Sequence, residues 1–225
     1  MEVALAGSTG LIGHNIFATL CDLNSVKTVQ AFARKDLPSS SKVTPITSPD
    51  SSSWPSLFPS SSELFISALG TTRAAAGGFE NQKKIDYDLN FALAQAAKKA
   101  GTKHYVLISS GGASPSSPFG YAKMKGELEQ AVKDLDFDHC VILRPGLIVG
   151  ERSEMRTAEF IMRKAAQGAG SVHNGLKDFW AQDADVIARA AVRAGMDCVE
   201  GKEPEKFRIL GGADIIRLGR TEWKQ

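Results

Sequence analysis

Cysteine is scarce in this chain of 225 residues, which holds Cys21, Cys140 and Cys198 and no others. An odd number, widely spaced, makes neither a disulfide framework nor a metal-spaced cluster, and it points to a reducing compartment. No apolar run approaches the roughly 20 residues that span a bilayer. Net charge is almost absent: 27 Lys+Arg against 25 Asp+Glu leave +2, so there is no polycationic field and no nucleic-acid partner is expected. His14, His104, His139 and His173 are scattered without ligand spacing, and no metal site is expected. Met1-Glu2 leads at once into a short apolar run and a glycine turn. That start is neither a secretory signal nor an Arg-rich presequence, and the fold is expected to begin at residue 2.

What is present is the composition of an ordinary globular domain, 43% hydrophobic and 23% charged, long enough to bury a core without staples. Strand-like and helix-like segments alternate. Val3–Ala6, Val26–Ala33, Val43–Thr47, Leu64–Leu69, His104–Ile108, Cys140–Leu143 and Phe207–Leu210 read as strands. Helical spacing runs through Leu11–Leu20, Ile85–Ala100 (closed by Gly101), Tyr121–Leu135 with charged outer faces, Glu154–Gln167, and Asp183–Ala194 capped by Asp183. A serine- and proline-rich stretch, Pro38–Ser62, reads as surface loops anchored by Trp54, Leu57 and Phe58. The alternation predicts βαβ units in an α/β, doubly wound parallel sheet, the Rossmann fold. One domain is expected over 1–225, with a nucleotide-binding core at 1–152 and a small C-terminal, substrate-side lobe at 153–225 completing the sheet.

Three constellations carry chemistry. The first is Gly7-Ser8-Thr9-Gly10-Leu11-Ile12-Gly13, between the first strand and the first helix. There Gly7 can make the tight turn, Gly10 can let a pyrophosphate approach the backbone, and Gly13 can let helix and strand pack closely. The opening helix would present N–H groups and its dipole to the anion. The bland alternative is a plain strand-to-helix turn. The second is Arg34-Lys35 at the end of the second strand, with Asp36 displaced beyond them. Two cations where an acid would meet a ribose 2′-hydroxyl suit a 2′-phosphate, so NADP(H) is favoured over NAD(H); a solvated charge cluster is the alternative. The third is Ser109-Ser110 followed by Tyr121 and Lys125. A lysine one helical turn from a tyrosine supplies the positive potential that a phenol of ordinary pKa about 10 needs for acid/base work. The serine hydroxyl would orient a substrate carbonyl. Elsewhere such a Tyr-x-x-x-Lys pair is a common surface feature.

With GSTGLIG, the Ser-Ser strand end, YAKMK and the Leu143–Gly146 LRPG turn in this order, the chain resembles the short-chain dehydrogenase/reductase superfamily, in its extended or atypical branch. It is more closely similar to the fungal "found in mitochondrial proteome" family, itself similar to the animal Tat-interacting oxidoreductase-like protein. The segments that carry this are LGTTRAAAGG (69–78), KIDYDLNFALAQAAKKAG (84–101), VLISSGGA (106–113), FGYAKMKGELE (119–129), LDFDH (135–139) and LRPGLIVGER (143–152). The resemblance implies an NADP(H) site in which Thr9 through Ile12 hold the pyrophosphate and Arg34 and Lys35 the 2′-phosphate. Leu69 and Gly70 would line the central cofactor edge, and Ile148 and Arg156 the nicotinamide side. It further implies Tyr121 as proton acceptor, Lys125 on the ribose, Ser110 as the superfamily's serine, and peripheral association with the mitochondrial outer membrane; a cytoplasmic location is the alternative.

Other polar residues read more plainly. Asn90, on one helical face with Asp86, is expected to tie its helix to a strand. Arg73 could touch phosphate or substrate, or make an ion pair at a strand exit. Lys98, Lys99 and Lys123 read as solvated faces. Two functions follow: an NADPH-dependent oxidoreductase acting on a small carbonyl or hydroxyl compound, or a non-catalytic NADP(H)-sensing regulator or scaffold. The Ser–Tyr–Lys set favours the first, while the substrate and the oligomeric state are not specified by the residues.

Overall fold

The computed structural model describes residues 1–38, 40–150 and 181–224. Among them, seven parallel strands form one sheet in the order β3–β2–β1–β4–β5–β6–β9. These are β1 (Glu2–Ala6), β2 (Thr28–Ala33), β3 (Val43–Thr47), β4 (Leu64–Ser67), β5 (His104–Ile108), β6 (His139–Leu143) and β9 (Phe207–Leu210). Between β6 and β9, the short β7 (Leu147–Val149) and β8 (Ala181–Asp183) pair with each other in a separate parallel ladder. The chain winds outward from β1 to β3, then returns to β4 on the other side of β1. The β1/β4 boundary is therefore the topological switch point, where connections leave in opposite directions and open a crevice.

Burial on both faces explains the near-continuous apolar strands. Val3, Leu5, Val29, Ala31, Leu64, Ile66, Val106, Ile108, Val141 and Leu143 share one face with α1 (Leu11–Asp22) and α5 (Ala184–Val199). The alternate residues, among them Ala4, Phe32, Phe65, Tyr105, Leu107 and Ile142, face α3 (Asn90–Lys99), α4 (Gly120–Lys133) and the 3-10 helix Ser51–Leu57. Within that serine-rich insert, the Asp50 carboxylate accepts from the Ser52 N–H at 2.9 Å, and Trp54 is buried 5.7 Å from the Phe32 ring centroid. Phe58 packs edge-on to Phe65. Leu57, expected to pack with them, is instead 46% exposed, because it ends the helical turn on its outer side.

The helix expected over Ile85–Ala100 starts earlier, as α2 (Phe79–Lys83), and passes through a π-helical turn (Lys84–Leu89) before α3. Gly101, with φ of +91°, closes α3 in the left-handed conformation. Asp183 precedes α5 as expected but makes no side-chain cap; its carboxylate takes the Arg220 guanidinium at 3.2 Å. After β9 come α6 (Gly212–Ile216) and a π turn, Arg217–Thr221. The expected helix Glu154–Gln167 lies outside the described residues, as does the first part of the expected lobe, up to residue 180. Residues 181–224 complete the sheet and its α1/α5 layer.

Candidate functional site

A cleft of about 810 Å³ opens over the C-terminal ends of β1, β4, β5 and β6. Its first wall is the glycine turn. Gly7 has φ of +87°, and a Cβ there would lie 2.6 Å from the Ala68 backbone, so only glycine lets β1 turn beside β4. A Cβ on Gly13 would lie 1.9 Å from the Gly7 carbonyl oxygen, which brings α1 down onto the turn. Gly10 caps α1 with no side chain, and the first turn of α1 holds no acid. The result is a concave strip of backbone with N–H groups facing out, a cradle that suits a diphosphate. Gly10, Leu11 and Ile12 line the cleft. Thr9 is exposed beside it, and the Ser8 hydroxyl donates to the Phe32 carbonyl at 3.2 Å, fastening the turn to β2. Arg34 and Lys35 stand exposed at the end of that strand, outside the cleft itself.

The opposite wall comes from α4. Tyr121 and Lys125 both open onto the cleft, one helical turn apart. Tyr121 is 43% exposed, yet its hydroxyl is crowded enough that burial pushes the phenol above its ordinary pKa. Asp86 adds to this, and the Ser110 hydroxyl opposes it. Lys125 is buried, donating to the Ile108 carbonyl at 3.4 Å. Burial pulls its ammonium down, while Asp86 and Glu129 hold it up. Besides its charged outer faces, this helix buries two charged residues, Lys125 and Glu129.

The two serines separate cleanly. Ser109 is buried and donates to Glu129, whose carboxylate also accepts from Arg144 Nε at 3.1 Å. That network fastens α4 to the ends of β5 and β6. Ser110 is more open and lies close enough to Tyr121 to favour its anion.

Leu69, Gly70 and Ile148 line the cleft as expected; Arg156 lies outside the described residues. Asn90 ties its helix to the sheet, accepting from Ser67 Oγ at 2.6 Å and donating to the Leu69 carbonyl at 3.1 Å. Arg73 also lines the cleft, and among the described residues no ion pair engages it. Sequence reasoning missed Asp86, Gln82 and Phe79 as wall residues. Asp86 is buried, accepts from the Thr71 N–H at 2.6 Å and from Gln82 Nε2 at 3.1 Å, and is carried inward by the π turn. π turns recur at functional sites, but helical periodicity does not reveal them. Among the described residues, no group of three His, Cys, Asp or Glu could hold a metal, and no helix is long and apolar enough to cross a membrane.

Comparison with known proteins agrees with this architecture. The HIM1 family model matches residues 60–169. "Protein fmp52, mitochondrial" of Aspergillus fumigatus is 53% identical over 97% of this chain and 98% of its own length. The corresponding protein of Neurospora crassa is 45% identical over 100% of this chain and 97% of its own length. Among solved structures, the UDP-Glc/GlcNAc 4-epimerase of Campylobacter jejuni superposes with a TM-score of 0.70 at 12% identity, over 96% of this chain and 82% of that one. MoeE5 in complex with UDP-glucose and NAD gives 0.69 at 16% identity, over 94% and 75%. At such identities the likeness is one of fold. By sequence over nearly its whole length, and with a fold of the short-chain dehydrogenase/reductase type, the chain belongs to the fungal fmp52 family.

Proposed function

We propose that this protein is an NADP(H)-dependent oxidoreductase acting on a small carbonyl or hydroxyl compound. The observation that carries this reading is the meeting of two walls in one cleft: the glycine cradle on one side, Tyr121 and Lys125 on the other. Leu11 and Ile12 would bind the pyrophosphate through backbone N–H groups, and Arg34 and Lys35 a 2′-phosphate. Solved structures of the same fold, MoeE5 among them, carry NAD. When bound, the nicotinamide supplies or accepts the hydride. Ser110 orients the substrate oxygen, and Tyr121 exchanges its phenolic proton with that oxygen, with the Lys125 charge stabilising the phenolate left behind. Burial and Asp86 favour the protonated phenol, the form that donates to the oxygen of a reduced carbonyl. Calorimetric titration with NADPH, followed by NADPH oxidation against a panel of carbonyl compounds, tests this. Absence of NADPH binding in the micromolar range would overturn it.

The names of the fmp52 relatives support a mitochondrial location. We place the protein peripherally on the outer membrane, a proposal consistent with the lack of a spanning helix among the described residues. High-salt or carbonate washing of isolated mitochondria should release it; retention in the carbonate pellet would reveal an anchor.

A further inference from the structure

A fully buried ammonium needs a counter-charge, since removing a lone ion from water costs several kcal/mol. Among the described residues, Lys125 makes one hydrogen bond, the long one to the Ile108 carbonyl, and a neutral carbonyl does not supply a charge. Two carboxylates lie near enough to act on it: Glu129, one turn further along α4, and Asp86 of the π turn, which lines the same cleft as Lys125 and Tyr121. Glu129 is already matched, since Arg144 engages both of its oxygens through Nε and Ser109 donates to it as well. Asp86 is different. Its partners are the Thr71 N–H and the Gln82 amide, both neutral, and the cation acting on it is Lys125. Tyr121 is the remaining titratable group facing the pair.

We infer that Asp86 is a positioning residue of this site, whose carboxylate is the counter-charge that keeps Lys125 an ammonium against the cleft wall beside Tyr121. This deepens the proposed oxidoreductase reading and rests on it for its meaning, but it concerns a charge pair that exists without any ligand. The Asp86 charge opposes the burial that pulls this ammonium down, and so supports the tyrosine's electrostatic partner. The hydrogen bonds to Thr71 and Gln82 fix where that charge sits and tie it to the loop that follows β4.

The test is ligand-free. In full-length protein labelled with [ε-13C]lysine, the Lys125 signal is assigned by its loss in Lys125→Met, or in Lys125→Arg should the first variant not fold. Its titration midpoint is then followed by NMR in the parent and in Asp86→Asn, which keeps an oxygen for the Thr71 N–H but removes the charge. Asp86→Ser serves if the Asn variant does not fold. The midpoint should fall by about one pH unit or more, the scale on which losing a nearby opposite charge shifts a buried group. Asp86→Glu should restore it to within half of that shift. An unchanged midpoint in a folded neutral variant would overturn the inference. NADPH affinity across pH is measured in parallel: its alkaline limit should move down with the Lys125 midpoint. If the parent binds no NADPH yet the midpoint moves, the charge pair stands and the oxidoreductase reading falls.

Discussion

The two faces of the sheet are built from different materials and bring different halves of the site. The α1/α5 face is aliphatic: Val, Leu and Ile from the strands meet Ile12, Ile16 and Leu20 of α1 and the alanines of α5. The other face is aromatic, with Phe32, Trp54, Phe58, Phe65, Tyr105 and Phe137 in contact along it. The aliphatic face delivers the glycine cradle through α1. The helices of the aromatic face deliver Asp86, Asn90, Tyr121, Lys125 and Glu129. Cofactor holding and proton handling are therefore mechanically separate: each is anchored in its own half-core, and they meet only at the switch point.

Gly13→Ala should break the aliphatic half. Its Cβ would meet a backbone oxygen that no rotamer change can move aside, costing about 3 kcal/mol in stability, the upper part of the range for overpacking. NADPH affinity should fall with it. Urea unfolding and calorimetry on the variant check both, and a loss below about 0.5 kcal/mol would show the junction to be pliable. Tyr121→Phe should strike the aromatic half alone. Turnover should fall about 10²-fold, near 2.7 kcal/mol in activation free energy, with NADPH affinity and melting temperature almost unchanged. A Phe variant that reduces the same carbonyl at the parent rate would remove Tyr121 from the mechanism.

Much of this division was legible in the residues, and the reasons are specific. Gly7 and Gly13 stand at a strand–helix junction whose geometry forbids side chains, so sequence and structure carry the same information there. Ser109 and Ser110 are adjacent and chemically identical; only the position of Glu129 and Arg144 shows that the first is fastened and the second open. Glu129 passed as one of the charges on the outer faces of its helix because its partners, Ser109 and Arg144, come from distant elements. Asp86 was hidden for another reason: a π turn breaks the regular spacing by which a buried helical face is recognised. The Asp183 cap failed because a remote arginine, Arg220, competes for its carboxylate.

Two smaller effects sharpen the comparison. Replacing Arg34 and Lys35 together with alanine should remove most of an NADPH-over-NADH preference of about tenfold, near 1.4 kcal/mol, without altering turnover at saturating cofactor. Equal affinities for the two cofactors in the parent, by calorimetry, would sink this assignment. The smallest effect lies at the far end of the aliphatic face, where His104 and His139 stack with their Nδ1 atoms 3.1 Å apart. Burial first, and then His139, pushes His104 below its ordinary pKa of 6.5. The unfolded chain therefore binds the proton more readily, so stability is full above about pH 6.5 and declines as pH falls through and below it. His104→Asn should flatten that acid slope in urea titrations run across pH, while leaving the cleft untouched. An unchanged slope would place the acid sensitivity elsewhere.

The π turn at Lys84–Leu89 has a consequence for how the gene can change length. In an α-helix each residue advances the chain by about 100°, at 3.6 residues per turn. Deleting one residue inside the turn would make the helix regular, but it would swing Phe79, Gln82 and Asp86 about a quarter of a circle away from Asn90, which the sheet holds in place. The acid would leave the cleft although no residue of the site had been substituted. Single-residue deletions should accordingly be tolerated at the exposed Ala74–Ala75 and rejected only a few residues later, a reading-frame of geometry that deletion scanning can map directly.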